Sequence, residues 1–169
     1  YLSRARKVSI LVNKKNRDQH KFHEPFMIEA LRMAQKAFEY NEVPVGAIIV
    51  KDKQIIGTGF NKVIRNNSSL FHAEMIAIYQ AAQFLNNYRL TGTELYSTLE
   101  PCHMCAKAIV DARIDSLFFG ALEPKSGAVQ SVDHFFDQNH LNHKVEYSGG
   151  HGAESSAALL RKFFLTRRN

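Results

Sequence analysis

Apolar positions recur along this chain with two periods, and the switching between them predicts its elements. Met27, Leu31, Ala34 and Phe38 are spaced by four, three and four residues, one face of an amphipathic helix opening near Pro25, a residue suited to a first helical turn. Val45–Lys51 and Gln54–Phe60 read as two strands joined by Asp52-Lys53 as a hairpin. A polar loop (Asn66, Asn67, Ser68, Ser69) leads into His72–Leu85, a buried helix rich in Ala, Ile and Met. Glu94–Thr98 is a strand, Pro101 starts a helix running to about Ala112, and Ile114–Gly120 is a fourth strand. A short helix is expected after Gly127, a fifth strand at Lys144–Tyr147, and a final helix over Glu154–Arg168 with Ala157, Leu160 and Phe164 on one face. The order α-β-β-α-β-α-β-(α)-β-α predicts an α/β fold, a five-stranded mixed sheet covered by helices on both faces.

Composition narrows this little. The 169 residues suit one domain with a real core, and 45% hydrophobic residues is ordinary for a globular chain. No stretch approaches the roughly 20 apolar residues that span a bilayer. Because the chain begins at Tyr1, its natural start is expected to be missing or replaced. There is no internal repeat.

Charge changes the picture more. The net charge of +6 suggests nucleic acid, but residues 1–23 hold Arg4, Arg6, Lys7, Lys14, Lys15, Arg17 and Lys21 against Asp18 alone. Residues 24–169 then carry 15 basic and 15 acidic side chains, so the body is neutral. Residues 1–23 are expected to be a basic leader, flexible or of artificial origin, with 24–169 the folded domain. A phosphate-binding arm and an organelle-targeting segment are the other readings of that run.

The candidate chemistry lies in His72-Ala73-Glu74 and Pro101-Cys102-His103-Met104-Cys105. Cys102 and Cys105 are too close in sequence for a scaffold disulfide and suit a metal site or a redox pair. Three apart at a helix start, both thiols face one side, and the positive helix end favours thiolates. With His72 they make three zinc ligands, which leaves a tetrahedral position open for water, as in catalytic rather than structural zinc sites. Zinc brings the pKa of such a water near neutrality. Glu74, two residues beyond His72, is placed to carry that water's proton to a ring nitrogen and then to a departing amine. A lone C-x-x-C would fit redox or structural zinc sites equally. His103 is the nearest fourth ligand but points away on a helix, and a redox pair leaves H-A-E unexplained. The joint H-x-E…P-C-x-x-C pattern is that of zinc nucleobase deaminases. His20, His23, His134, His140, His143 and His151 read as surface or hydrogen-bonded residues.

From about residue 26 to 168 the chain resembles the bacterial tRNA-specific adenosine deaminases. The resemblance rests on Glu42-Val43-Pro44-Val45-Gly46-Ala47, Gly59-Phe60-Asn61, His72-Ala73-Glu74, Asn87-Tyr88-Arg89-Leu90 and Thr98-Leu99-Glu100-Pro101-Cys102. It continues through Lys125-Ser126-Gly127-Ala128, Leu141–Glu146, Ala157–Leu160, Phe163-Phe164 and Arg167-Arg168. It implies a three-layer α/β/α cytidine deaminase-like fold and one Zn2+ per subunit. It also implies a cytoplasmic homodimer that deaminates the wobble adenosine to inosine in the anticodon stem-loop of a tRNA, arginine tRNA by expectation. Carried over, Asn61 would hydrogen-bond the adenine or its sugar, and Val43, Pro44 and Val45 would wall the base pocket. Taken alone, Asn61 is a turn residue and Val43–Val45 a strand entry.

The final helix adds a physical argument, since Arg161, Lys162, Arg167 and Arg168 face only Glu154 between 154 and 168. Phe164, Arg167 and Arg168 are expected to contact RNA, with one phenylalanine of the pair packed inside. Two departures from the family pattern bear on substrate contacts. Ser68-Ser69-Leu70-Phe71 replaces Asp-Pro-Thr-Ala before the metal histidine, and Ala121-Leu122-Glu123 replaces Ala-Arg-Asp. The alternatives are a deaminase of a free base or nucleoside, such as guanine or cytidine, and a non-catalytic RNA-binding subunit. The second does not explain the presence of Glu74.

Overall fold

A computed structural model describes residues 20–168 of the chain. Its elements are α1 (Glu24–Glu39), β1 (Gly46–Lys51), β2 (Gln54–Phe60), α2 (Ala73–Leu85), β3 (Thr93–Leu99), α3 (His103–Asp111), β4 (Ser116–Ala121), β5 (Glu146–Ser148) and α4 (Ala153–Arg167). The sheet order is β2-β1-β3-β4-β5. β1 pairs antiparallel with both β2 and β3, whereas β3–β4 and β4–β5 are parallel, so the sheet is five-stranded and mixed as expected.

The period of two sorts the core onto the two faces of the sheet. Ile48, Val50, Tyr96 and Phe118 point toward α1, where Met27, Ala30 and Met33 meet them. Ala47, Ile49, Leu95, Leu117 and Phe119 point the other way, onto Ala73, Ala77 and Ala81 of α2 and Ala106, Ile109 and Val110 of α3. α4 packs beside α1, with Phe38 edge-on to Phe163 at 6.1 Å and Ser156 Oγ donating to Thr98 O at 2.6 Å. The β1–β2 turn has positive φ at both Asp52 (49°) and Lys53 (62°), the mirror-image turn that matches strand twist.

Two expectations are revised. The segment after Gly127 is not a helix: a short 3-10 turn forms only later, at Phe135–Asp137. The backbone N–H groups of Val129, Gln130 and Ser131 instead converge on the Glu100 carboxylate. Those donors have a partner outside any helix, so nothing drives helical pairing there. The second revision concerns the leader. Its residues 1–19 lie outside the described part, but His20–His23 belong to the packed domain. Phe22 lies over His151 at 3.9 Å and contacts Tyr96 and Phe118, while His23 N donates to the Tyr96 hydroxyl at 3.0 Å.

Candidate metal centre and active site

The sheet and two helix starts bring the chemical residues together. β3 ends at Leu99, and Glu100-Pro101 turn the chain into α3 with Cys102 as its N-cap residue. His72 occupies the N-cap position of α2. α2 lies close against β2 because Gly59 lacks a side chain: a Cβ there would stand 2.2 Å from Ala73 O. Both helix starts therefore meet at one end of the sheet, each presenting its positive end.

His72 Nδ1 lies 3.6 Å from Cys102 Sγ and 3.6 Å from Cys105 Sγ. A tetrahedral zinc with the usual Zn–S and Zn–N lengths requires N···S separations of roughly 3.5–3.6 Å. Spacing and donor chemistry thus both fit one zinc. Among the described residues, these three form the single group of three or more His, Cys, Asp or Glu side chains able to hold a metal. The Cys102 thiol is held down to about 4, first by the bond it accepts from Cys105, against burial, and also by His72. Cys105 is pushed up by donating that bond and by burial. One thiolate therefore forms readily between the two sulfurs, and a divalent cation favours the second.

His103 turns outward, as its helix position predicts, with Nε2 3.2 Å from Asp133 Oδ2. Glu74 is buried in the first turn of α2, and its carboxyl is raised above the usual range, chiefly by that burial. Ser97 Oγ lies 3.4 Å from Glu74 Oε1 and donates to Leu99 O at 2.8 Å. The site opens into a cavity of about 310 Å³ bordered by His72, Glu74, Cys102, Asn61, Val43 and Val45, with Glu123 among its other walls. Pro44 is buried but is not part of that lining. Asn61 Oδ1 accepts from Ala73 N at 2.8 Å, so it satisfies a donor at the start of α2 that His72 leaves unmet.

Phe71, beside the candidate ligand His72, is 37% exposed and stays off the cavity wall; Leu122 is also exposed. The C-terminal residues divide. Phe163 is buried and Phe164 is 48% exposed. Arg167 lies over the Phe163 ring at 4.6 Å and donates to Asn41 O, while Arg168 borders a surface groove with Phe164, Arg161 and Lys125.

One buried group was missed by the motif reading. Glu100 accepts from Glu123 N (3.1 Å), Val129 N (3.1 Å), Gln130 N (2.8 Å), Ser131 N (2.9 Å) and the Ser131 hydroxyl. Burial pushes its pKa up, but these bonds outweigh that and hold it below the usual carboxylate range. Its place directly before Pro101-Cys102 was the available signal.

Known proteins agree with this geometry. The family described as the cytidine and deoxycytidylate deaminase zinc-binding region matches residues 20–121. A tRNA-specific adenosine deaminase of Haemophilus influenzae is 46% identical over 148 residues, 87% of this chain and 86% of that protein. One from Aquifex aeolicus is 47% identical over 146 residues, 86% of this chain and 96% of its own length. A solved structure from work on A-to-I editing by tRNA:A34 deaminases superposes with a TM-score of 0.79 at 42% identity, covering 82% of this chain and all of that one.

Proposed function

The chain belongs to the tRNA-specific adenosine deaminase family of zinc-binding deaminases, and from that premise we propose that it hydrolyses the wobble adenosine of a tRNA to inosine. The observation that carries the reading is a cluster of three metal-ligating side chains whose spacing suits zinc, with a buried carboxyl beside it at the wall of a cavity. His72 Nδ1, Cys102 Sγ and Cys105 Sγ would hold the metal. Zinc bound there supplies Lewis acidity that makes water acidic near neutral pH.

The remaining steps belong to the chain. Glu74 takes one proton of the attacking water and delivers it to the adenine N1; it then takes the second, from the hydroxyl now on C6, and passes it to the amine, so that C6=O forms as the C6–N bond breaks and ammonia leaves. Its raised pKa suits this, since the carboxyl must both gain and release a proton near neutral pH. Asn61 holds the adenine or its sugar through its amide N–H donors, and Val43 and Val45 press on the base. Pro44 sets the turn between them. The substrate is expected to be an arginine tRNA, with Phe164, Arg167 and Arg168 meeting the RNA beyond the cavity.

We further propose a homodimer acting in the cytoplasm, on a domain preceded by the basic leader. In support of the dimer, the outer side of α2 and the loop after it leave Tyr79, Phe84 and Tyr88 well exposed, an apolar strip suited to a second copy. Among the described residues no helix is long and apolar enough to cross a membrane.

The test is to incubate the zinc-loaded protein with an anticodon stem-loop of arginine tRNA and quantify inosine by mass spectrometry after nuclease digestion. Inosine at the wobble position is the expected result. Conversion of free guanine or cytidine with no inosine in the stem-loop would overturn the assignment.

A further inference from the structure

Beside the cavity, four side chains form a layered stack that the zinc chemistry does not use. Tyr40, at the end of α1, and Phe60, at the end of β2, have ring centroids 5.6 Å apart and nearly parallel planes, 9° between them. Lys62 Nζ lies 4.7 Å from the Phe60 centroid, and the Arg65 guanidinium carbon lies 4.4 Å from that of Tyr40. Each ring attracts its cation through its negative face, which restrains a side chain that would otherwise sweep a wide volume.

The backbone beneath is fixed as well. Glu42, buried under the loop, accepts from Ile64 N at 3.2 Å and Arg65 N at 2.7 Å. Asn66 N donates to Lys62 O at 2.9 Å and Ser68 N to Val63 O at 3.1 Å. Arg32, Lys107 and Lys144 each pair with a carboxylate, but among the described residues neither Lys62 nor Arg65 makes an ion pair. Asn61, Val63 and Ile64 of the same turn line the cavity. A strand whose base enters the cavity over this wall would run its backbone past residues 62 and 65.

Resting on the tRNA reading above, we infer that Tyr40, Phe60, Lys62 and Arg65 form a second RNA contact, which grips phosphates of the single-stranded nucleotides flanking the target base. Lys62 acts as a compact point charge. Arg65 offers its fork to a phosphate, and the free face of its guanidinium plane is available to a base. The rings hold both cations in place before RNA arrives, so less freedom is lost on binding.

The test measures binding of a fluorescent anticodon stem-loop by anisotropy across a salt series, using the full zinc-loaded chain, alongside inosine formation. Lys62→Gln/Arg65→Gln should weaken binding on the order of tenfold at low salt and flatten the log–log salt slope by roughly 1.4, since each single-strand phosphate contact contributes about 0.7. It should raise KM while leaving kcat within about twofold, because no reacting atom is touched. Tyr40→Ala keeps both charges and should weaken binding about threefold with the slope unchanged. Lys53→Gln, which removes a charge at the far hairpin, should change neither quantity. Unchanged affinity and slope in the double variant, with its circular dichroism intact, overturns the inference. So does an equal loss in Lys53→Gln. If the wild type binds the stem-loop without forming inosine, the deaminase reading fails, yet the slope still decides the platform. If the wild type does not bind the stem-loop at all, both fail.

Discussion

Replacing Glu100 with glutamine removes one charge and turns one acceptor into a donor, at a point where five donors converge. In the structure Oε2 receives the N–H groups of Val129, Gln130 and Ser131, while Oε1 receives Glu123 N and the Ser131 hydroxyl. The best glutamine rotamer keeps its oxygen under the three convergent N–H groups and turns its NH2 toward the other two donors. The Ser131 hydroxyl can rotate to accept, but Glu123 N cannot and is left without a partner. Three charge-assisted bonds become neutral ones, at about 0.5–1 kcal/mol each, and the orphaned amide costs about 1–3 kcal/mol, so the variant should lose roughly 3–5 kcal/mol. The assay is urea denaturation of the zinc-saturated protein followed by circular dichroism, with wild type and E100Q compared at equal zinc. The sign with pH is fixed by the depressed pKa of Glu100. Its contribution is fully present above the unfolded carboxylate pKa and is lost as pH falls through the lower folded value. The gap between the two proteins should therefore hold from neutral pH into the carboxylate range and close only below it. A loss under about 1 kcal/mol at neutral pH would refute the idea that this carboxylate organises the turn. Gly127→Ala tests the same packing independently, since a Cβ there falls 2.3 Å from the Glu100 carboxylate.

Glu74→Gln should retain zinc by elemental analysis and retain stem-loop binding, while inosine formation falls by about 10²–10⁴. Activity within tenfold of wild type would remove Glu74 from the proton path. Cys105→Ser should lower zinc content well below one per chain and lower Tm. A chelator should shift wild type the same way, reversibly on adding zinc, and an unshifted melting curve counts against the metal centre. Arg167→Ala should cost about 0.5–1 kcal/mol in a denaturation curve, through lost packing on Phe163 and the lost bond to Asn41 O. Arg168→Ala should leave stability unchanged and weaken stem-loop binding with a flatter salt slope. Unchanged stem-loop affinity and salt slope in both variants would remove the helix end from the RNA contact.

The candidate metal ligands could be found from sequence because their chemistry constrains local spacing. Two thiolates three residues apart at a helix start, and a histidine two residues from a free carboxylate, are patterns that a short window contains. The strands were legible for a similar reason: Ile48 and Val50 serve one face and Ala47 and Ile49 the other, which is a period of two. The β1–β2 turn was legible from the strands on either side, although Asp52 and Lys53 adopt positive φ without a glycine. What escaped depends on distant partners. The residues after Gly127 follow a carboxylate some 30 positions upstream, and no periodicity within that segment carries its location. The basic run up to Lys21 hides Phe22, whose aromatic partners come from β3, β4 and the turn before α4. Arg167 looked like an RNA cation by composition, yet it also folds back on a ring four residues earlier in its own helix.

If Asn61 binds the substrate as proposed, folding and ligand binding ask different things of this one side chain. Its oxygen is committed to Ala73 N, which fixes the orientation of the amide and leaves only hydrogens to offer the cavity. An aspartate would hold that N–H equally well and would suit the positive start of α2 better. It would bring no donor to the ligand. Selection for helix stability alone therefore leads to one residue and recognition of an acceptor leads to the other, although the two differ only in whether NH2 or oxygen fills one position. Exchanging them offers a way to move stability and substrate affinity in opposite directions at a single site.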